Sequence, residues 1–159
     1  MSFVINAIKI IFILGFLVLI HETGHFLVAR LCKVKVKEFA IGFGPTIWKK
    51  QGKQTKYALR LIPLGGFVSM EGEEERSLEE GSFSNSSVPK RIAIVAAGGL
   101  VNIIFAIITY TILITVMTGS FTKALSYTGD FAFSIVESLK LLFSGGVSVD
   151  QLMGPVGIS

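Results

Sequence analysis

Apolar residues run from Phe3 to Leu31, broken before Arg30 only by Asn6, Lys9 and the cluster His21-Glu22-Thr23-Gly24-His25. At 1.5 Å per residue such a helix is about 40 Å long, enough to span a bilayer with tilt. A second apolar run, Ile92 to Met117, holds no ionisable side chain except Tyr110 and opens with Pro89-Lys90-Arg91. A proline suits a helix start and the two cations suit an interface. A secretory signal peptide fits the first run poorly, because the run is too long, carries acid and imidazole groups, and lacks a small-residue cleavage site. Between the runs the period changes. Val34, Val36, Phe39 and Ile41 alternate imperfectly with Lys35, Lys37 and Glu38, and Tyr57, Leu59 and Leu61 alternate with Ala58, Arg60 and Ile62. Both read as strands, with a turn at Lys49–Gln54. Leu61 to Val68 is apolar yet broken by Pro63, Gly65 and Gly66, so it is expected to dip against the membrane as a loop rather than form a helix.

The expected fold is therefore a membrane protein, mainly α, with polytopic helices and a short membrane-associated β-sheet or β-loop between the first two. Residues 1–31 form the first transmembrane helix, 32–70 the cytosolic-side hairpin and β-loop, and 89–118 the second helix. Residues 71–88, with six Glu among Gly and Ser, read as a solvated, mobile linker. In 119–159, Phe131 to Phe143 is expected as a short amphipathic helix on the outer surface, ended by Gly145-Gly146. The last residues, Leu152 to Ser159, read as the approach to a further core helix.

Composition supports this reading: 51% of the 159 residues are apolar and only 16% charged, against about a quarter charged in soluble domains. The net charge of +4 matters less than its placement. Twelve of the fifteen Lys and Arg fall between Arg30 and Arg91. That asymmetry puts the connection between the helices inside, with the N-terminus and Gly119 outside, and argues against a nucleic-acid surface. The lone Cys32 forms no internal disulfide and would face a reducing compartment.

The chemistry concentrates at His21-Glu22-Thr23-Gly24-His25. Residues four apart share a helix face at about 6 Å, so two imidazoles can hold one zinc ion, with Glu22 placed as general base toward its water. Three neighbouring ionisable groups inside an apolar helix are costly and point to function. His25 lies about 7.5 Å along the axis from Arg30, which puts the site in the cytosolic third of the membrane. Cys32 is about 10 Å beyond His25, far from a Zn–S distance of about 2.3 Å, and reads as an apolar filler.

A zinc-hydrolase pattern inside a transmembrane helix, together with Gly42-Phe43-Gly44-Pro45, Arg60 to Val68, Pro89 through Asn102 and Gly154 to Ile158, resembles the site-2 protease family. These are intramembrane zinc metalloproteases, and the resemblance is to the regulator of sigma-E protease type. It implies an integral inner-membrane protein that cleaves the transmembrane segments of single-pass membrane proteins, with Zn2+ on His21 and His25 and Glu22 catalytic. It also assigns substrate binding to the β-loop around Gly65, Gly66 and Phe67 and to Asn102. An interhelical hydrogen bond of about 1 kcal/mol is an equal reading of Asn102. The family takes its third ligand from an Asp in a Leu-Asp-Gly sequence on a later helix. Neither Asp130 nor Asp150 matches that context, and both are expected on the outer side. The outward PDZ domain usually found after the second helix has only a short connection in its place, and Gly99 stands where Pro is usual. The chain is therefore expected to be an N-terminal portion, inactive alone. Two other classes stay open: an inactive membrane scaffold, and a CAAX-type zinc protease, against which the Pro63 to Val68 block argues.

Overall fold

A computed structural model describes residues 2–144. In chain order it contains helix α1 (Ser2–Leu31), strand β1 (Val36–Gln51), strand β2 (Lys56–Met70), helix α2 (Val88–Thr118) and helix α3 (Phe121–Phe143). Two compact units are present, one through Ile104 and one from Phe105, and α2 runs through the boundary. The expectations for Gly145-Gly146, Asp150 and Leu152–Ser159 lie outside the described residues.

In the first unit α1 has no polar stripe. Phe3, Ile8, Phe12, Ile13 and Leu27 are all exposed, as in a helix whose surroundings are apolar. Both α1 and α2 are long and apolar enough to cross a membrane. The last turn of α1 closes with paired hydrogen bonds, from the Val34 amide to the Ala29 carbonyl at 2.9 Å and from the Lys33 amide to the Arg30 carbonyl at 3.1 Å. This six-to-one and five-to-two pattern requires a left-handed residue after the helix, a position that glycine usually fills. Here Lys33 fills it, at φ 61°, which costs about 1–2 kcal/mol.

The two strands pair antiparallel and extend further than the alternation suggested. The chain turns between them through Gly52, whose amide donates to the Thr55 carbonyl. Residues 38–41 of β1 are flanked twice. On one side their partners are Ser69, Val68, Phe67 and Gly66, and on the other Lys56, Tyr57, Ala58 and Leu59. The bend that permits this lies at Gly42, with φ +86° and an added Cβ only 2.6 Å from the Ile62 carbonyl. Residues 66–69 therefore have β1 on one flank and, among the described residues, no strand on the other. The Leu61–Val68 block belongs to β2, and it lies along α1: the Pro63 carbonyl comes within 2.9 Å of a Cβ built on Gly15. The Val68 amide donates to Glu22 at 3.1 Å. The sheet is tied internally by Glu38, which pairs with Arg60 at 2.8 Å and Lys56 at 3.0 Å. Burial raises the Glu38 carboxyl, but the hydrogen bonds from Arg60 and Lys56 outweigh it and hold the group below its ordinary value.

The core of this unit is Ala29, Val34, Val36, Met70 and Ile94, with Phe26, Val28, Cys32, Val68 and Phe83 packed against it. It joins the end of α1, the ends of both strands and the start of α2. Cys32 fills apolar space here, as expected. Full burial of a Val, Ile or Met side chain contributes about 1.5–3 kcal/mol, so this cluster anchors the surrounding elements.

Residues 71–87 form neither helix nor strand, but they are tied down where a solvated, mobile linker was expected. The Glu71 amide donates to the Lys35 carbonyl, the Phe83 amide to the Glu71 carbonyl, and the Lys35 amide to the Gly81 carbonyl. Ser82 is fully buried, and the Ser82 and Ser84 hydroxyls both donate to the Ser77 carbonyl. Short hydroxyl side chains bonding nearby backbone hold such a loop, and composition alone does not reveal which of them will pair.

The second unit is a helical hairpin. Ser120 caps α3, its side chain accepting from the Lys123 amide, so the helix begins at Phe121 and not at Phe131 as expected. Tyr110 stacks on Phe131 with centroids 4.9 Å apart, and the Thr111 and Thr128 hydroxyls meet at 3.0 Å. Cross-helix contacts of this kind support helix where Ser, Thr and Gly weaken the local propensity. Instead of lying as a free surface element, α3 packs on the later part of α2.

Candidate metal centre

His21, Glu22 and His25 occupy adjacent positions of one α1 face, and their ligating atoms all lie within 4.8 Å of one another. They are the one such group of three among the described residues. The two imidazole rings are edge to face, with centroids 4.8 Å apart. Small residues let α2 come close at this level: the Ala97 carbonyl stands 2.6 Å from where a Cβ on Gly24 would be. A Cβ on Gly98 would lie 2.5 Å from His25 Nε2 and 2.6 Å from His21 Nε2. Both Nε2 atoms thus converge on one point, which stays open because residue 98 has no side chain.

The other ring nitrogens face α2. His25 Nδ1 lies 2.7 Å from the Ile94 carbonyl, an acceptor only, so Nδ1 carries the proton and Nε2 keeps its lone pair. His21 Nδ1 lies 3.4 Å from the Asn102 amide nitrogen, while Asn102 Oδ1 is buried without a partner. The two ends of an amide are assigned from hydrogen bonding rather than seen. Turning this one by half a rotation sets Oδ1 against His21 Nδ1, satisfies the orphan acceptor and frees His21 Nε2 as well. Both histidines then offer the same nitrogen, each oriented through its outer hydrogen bond, as metal-binding imidazoles require. The donor set fits zinc as two of three protein ligands; Asp130 is in α3 of the second unit and Asp150 lies outside the described residues.

Glu22 Oε2 accepts the Val68 amide, which places the carboxylate between the histidines and the free edge of β2. A cavity of about 380 Å³ opens here, lined by Glu22, His25, Phe67, Val68, Met70 and Glu73 among others. The Met70 amide donates to Glu73 at 3.0 Å. The amides of Val68 and Met70, two residues apart, therefore both face this edge, as alternate strand residues do.

Of the residues singled out in the sequence, His21, Glu22, His25 and Asn102 meet at one place, and Phe67 borders the same cavity. Gly65 and Gly66 do not line it. Gly65 touches Val18, and Gly66 lies against the Ala40 carbonyl and Leu19, so they seat the strand on α1. Ile94, Gly98 and Val68 were missed. A signal for the first two was present: Ile94, Gly98 and Asn102 recur every four residues on α2, as His21 and His25 do on α1. Val68 acts through its backbone, which leaves no trace in side-chain type.

The profile of Peptidase family M50 matches residues 9–159. A Clostridium acetobutylicum protein named provisionally as a zinc metalloprotease is 46% identical over 112 residues, covering 70% of this chain and 33% of the relative. The regulator of sigma-E protease RseP of Escherichia coli is 45% identical over 115 residues, covering 69% of this chain and 26% of RseP. Protease RseP of Yersinia pestis is 44% identical over the same length. The chain thus spans about a quarter to a third of these relatives. With the two-histidine, one-glutamate cluster on an apolar helix, these matches place the chain in peptidase family M50.

Proposed function

We propose that this chain carries the zinc-binding face of an intramembrane metalloendopeptidase, which cuts transmembrane segments of single-pass membrane proteins. The observation that carries the proposal is the convergence of His21 and His25 Nε2 on the space kept open by Gly98, with the Glu22 carboxylate alongside. In this reading α1 and α2 span the inner membrane, the N-terminus is outside, and the intervening sheet and loop face the cytosol. The exposed apolar residues around both helices and the cluster of cations between them support it.

His21 and His25 would hold the zinc, which when bound supplies Lewis acidity for a water and a peptide carbonyl. Glu22 takes the proton from the attacking water at its carboxylate and delivers it to the departing amine. Substrate must be extended for this, because a helical peptide bond is shielded. An added strand would pair along the edge of β2 at Val68 and Met70, next to Glu22, by taking over the amides that now donate to Glu22 and Glu73. Gly65 and Gly66 hold that edge against α1, and Phe67 borders the cavity from the strand. Asn102 acts through His21 and not on substrate directly, because its amide lies against the ring nitrogen.

The test, made on the full-length protein that the gene encodes, is metal content together with cleavage of a model transmembrane segment. About one zinc per chain is expected, lost when His21 and His25 are both replaced by Ala. Zinc bound with no cleavage under any condition would favour a membrane scaffold that keeps the metal site.

A further inference from the structure

Where α1 ends and α2 begins, a second cavity of about 610 Å³ is lined by Arg30, Lys33, Lys35 and Lys90, with Ser86 and Ser87 among its polar groups. The volume falls in the range of small-ligand clefts, about 300–1,000 Å³. Glu80 also lines it, and Lys35 is paired with Glu79 at 3.3 Å. The side chains of Arg30, Lys33 and Lys90 have no hydrogen-bond or ion-pair partner among the described residues. The first turn of α2 contains no acidic residue, so its amide dipoles add to the positive field.

Lys33 supplies an independent observation. It is the one described residue other than glycine with positive φ, in a helix-ending motif that glycine fills without strain. A strained lysine whose side chain lines a cationic cavity points to a use for the charge. The surroundings specify the ligand further. Leu27, Leu31, Val88 and Ile92, each within three residues of Arg30 or Lys90 on the two helix ends, are exposed apolar side chains. A ligand with an anionic phosphate head and apolar tails matches both parts, whereas free phosphate would use only the first.

We propose that this cavity binds the headgroup of an anionic phospholipid, with the acyl chains lying along the ends of α1 and α2. The proposal rests on the membrane reading of those helices and is independent of the zinc chemistry.

The test is native mass spectrometry of the purified protein, titrated with phosphatidylglycerol and, separately, with phosphatidylcholine. Thermal unfolding and zinc content are read on the same samples. We expect at least tenfold preference for phosphatidylglycerol, undiminished by excess inorganic phosphate. Lys33→Gly is expected to keep or raise the unfolding temperature in phosphatidylcholine, because it relieves the backbone, and to reduce the preference several-fold. Lys53→Gly, in the hairpin turn, removes the same charge elsewhere and should leave the preference intact; Lys90→Gln should repeat the Lys33 result. Equal binding of both lipids, equal loss in the Lys33 and Lys53 variants, or displacement by inorganic phosphate would each overturn the lipid site. Zinc lost with the preference intact would count against the protease reading alone.

Discussion

Ile94 and Asn102 stand eight residues apart on α2, and each meets the outer nitrogen of one histidine. The nitrogens that face the open space at Gly98 are therefore selected by the neighbouring helix, which under the proposed function would make Asn102 a positioning residue with a measurable effect. Outer-shell partners of this kind change metal affinity by about 10–100-fold. Asn102→Leu should weaken zinc binding by that order in a chelator competition, while Asn102→Asp, which keeps an acceptor toward His21 Nδ1, should recover most of it. Equal affinity in both variants would show that the amide does not hold the ring. Gly98 makes a sharper case. Gly98→Ala sets a methyl group 2.5 Å from His25 Nε2 and 2.6 Å from His21 Nε2, so at least one ring must move. Zinc stoichiometry should fall well below that of wild type, with a stability loss of about 1–3 kcal/mol from overpacking. Gly99→Ala, with nothing within 4 Å of the new Cβ, is the matched control and should change neither. The grouping of the histidines and Glu22 was legible in the sequence because residues four apart share a helix face. Val68 was not, since any residue supplies the same amide.

At the scale of elements, the sheet depends on Glu38 holding both Arg60 and Lys56. Its carboxyl lies below its ordinary value of 4.5 in the folded protein. The stability it contributes is therefore present above the unfolded value and is lost as pH falls through the folded one. Unfolding temperature should drop on acidification below about pH 4.5, and Glu38→Gln should remove that part of the drop while lowering stability near neutrality. A wild-type slope retained in the variant would assign the acid sensitivity to another group. The apolar runs announced α1 and α2, because twenty or more consecutive, predominantly apolar residues leave an unmistakable signature. The strands were legible in place but not in extent. Gly42 and Gly44 let β1 bend and continue, and Pro63 and Gly65 belong to a strand seated on a helix. The loop of residues 71–87 and the first ten residues of α3 were misjudged for a shared reason: their order comes from contacts distant in sequence, such as Glu71 with Lys35 and Thr111 with Thr128.

Across the first unit, the core at Ala29, Val34, Val36, Met70 and Ile94 reaches the candidate metal centre through Ile94. Ile94 takes part in both, fully buried through its side chain and bonded to His25 through its carbonyl. Ile94→Ala should cost about 2–5 kcal/mol by cavity formation while keeping the carbonyl in place. Folded protein isolated at low temperature should therefore still bind zinc, and loss of metal from a fully folded sample would place the orientation of His25 elsewhere. In the proposed function Glu22 moves the proton while the two histidines hold the metal. The most direct measurement is zinc content and cleavage of a model transmembrane segment by the full-length protein that the gene encodes, as wild type and as Glu22→Gln, purified side by side. The expected result is equal zinc in both, with cleavage in the variant reduced by a factor of about a hundred or more. Cleavage at the wild-type rate by the zinc-loaded variant would contradict it.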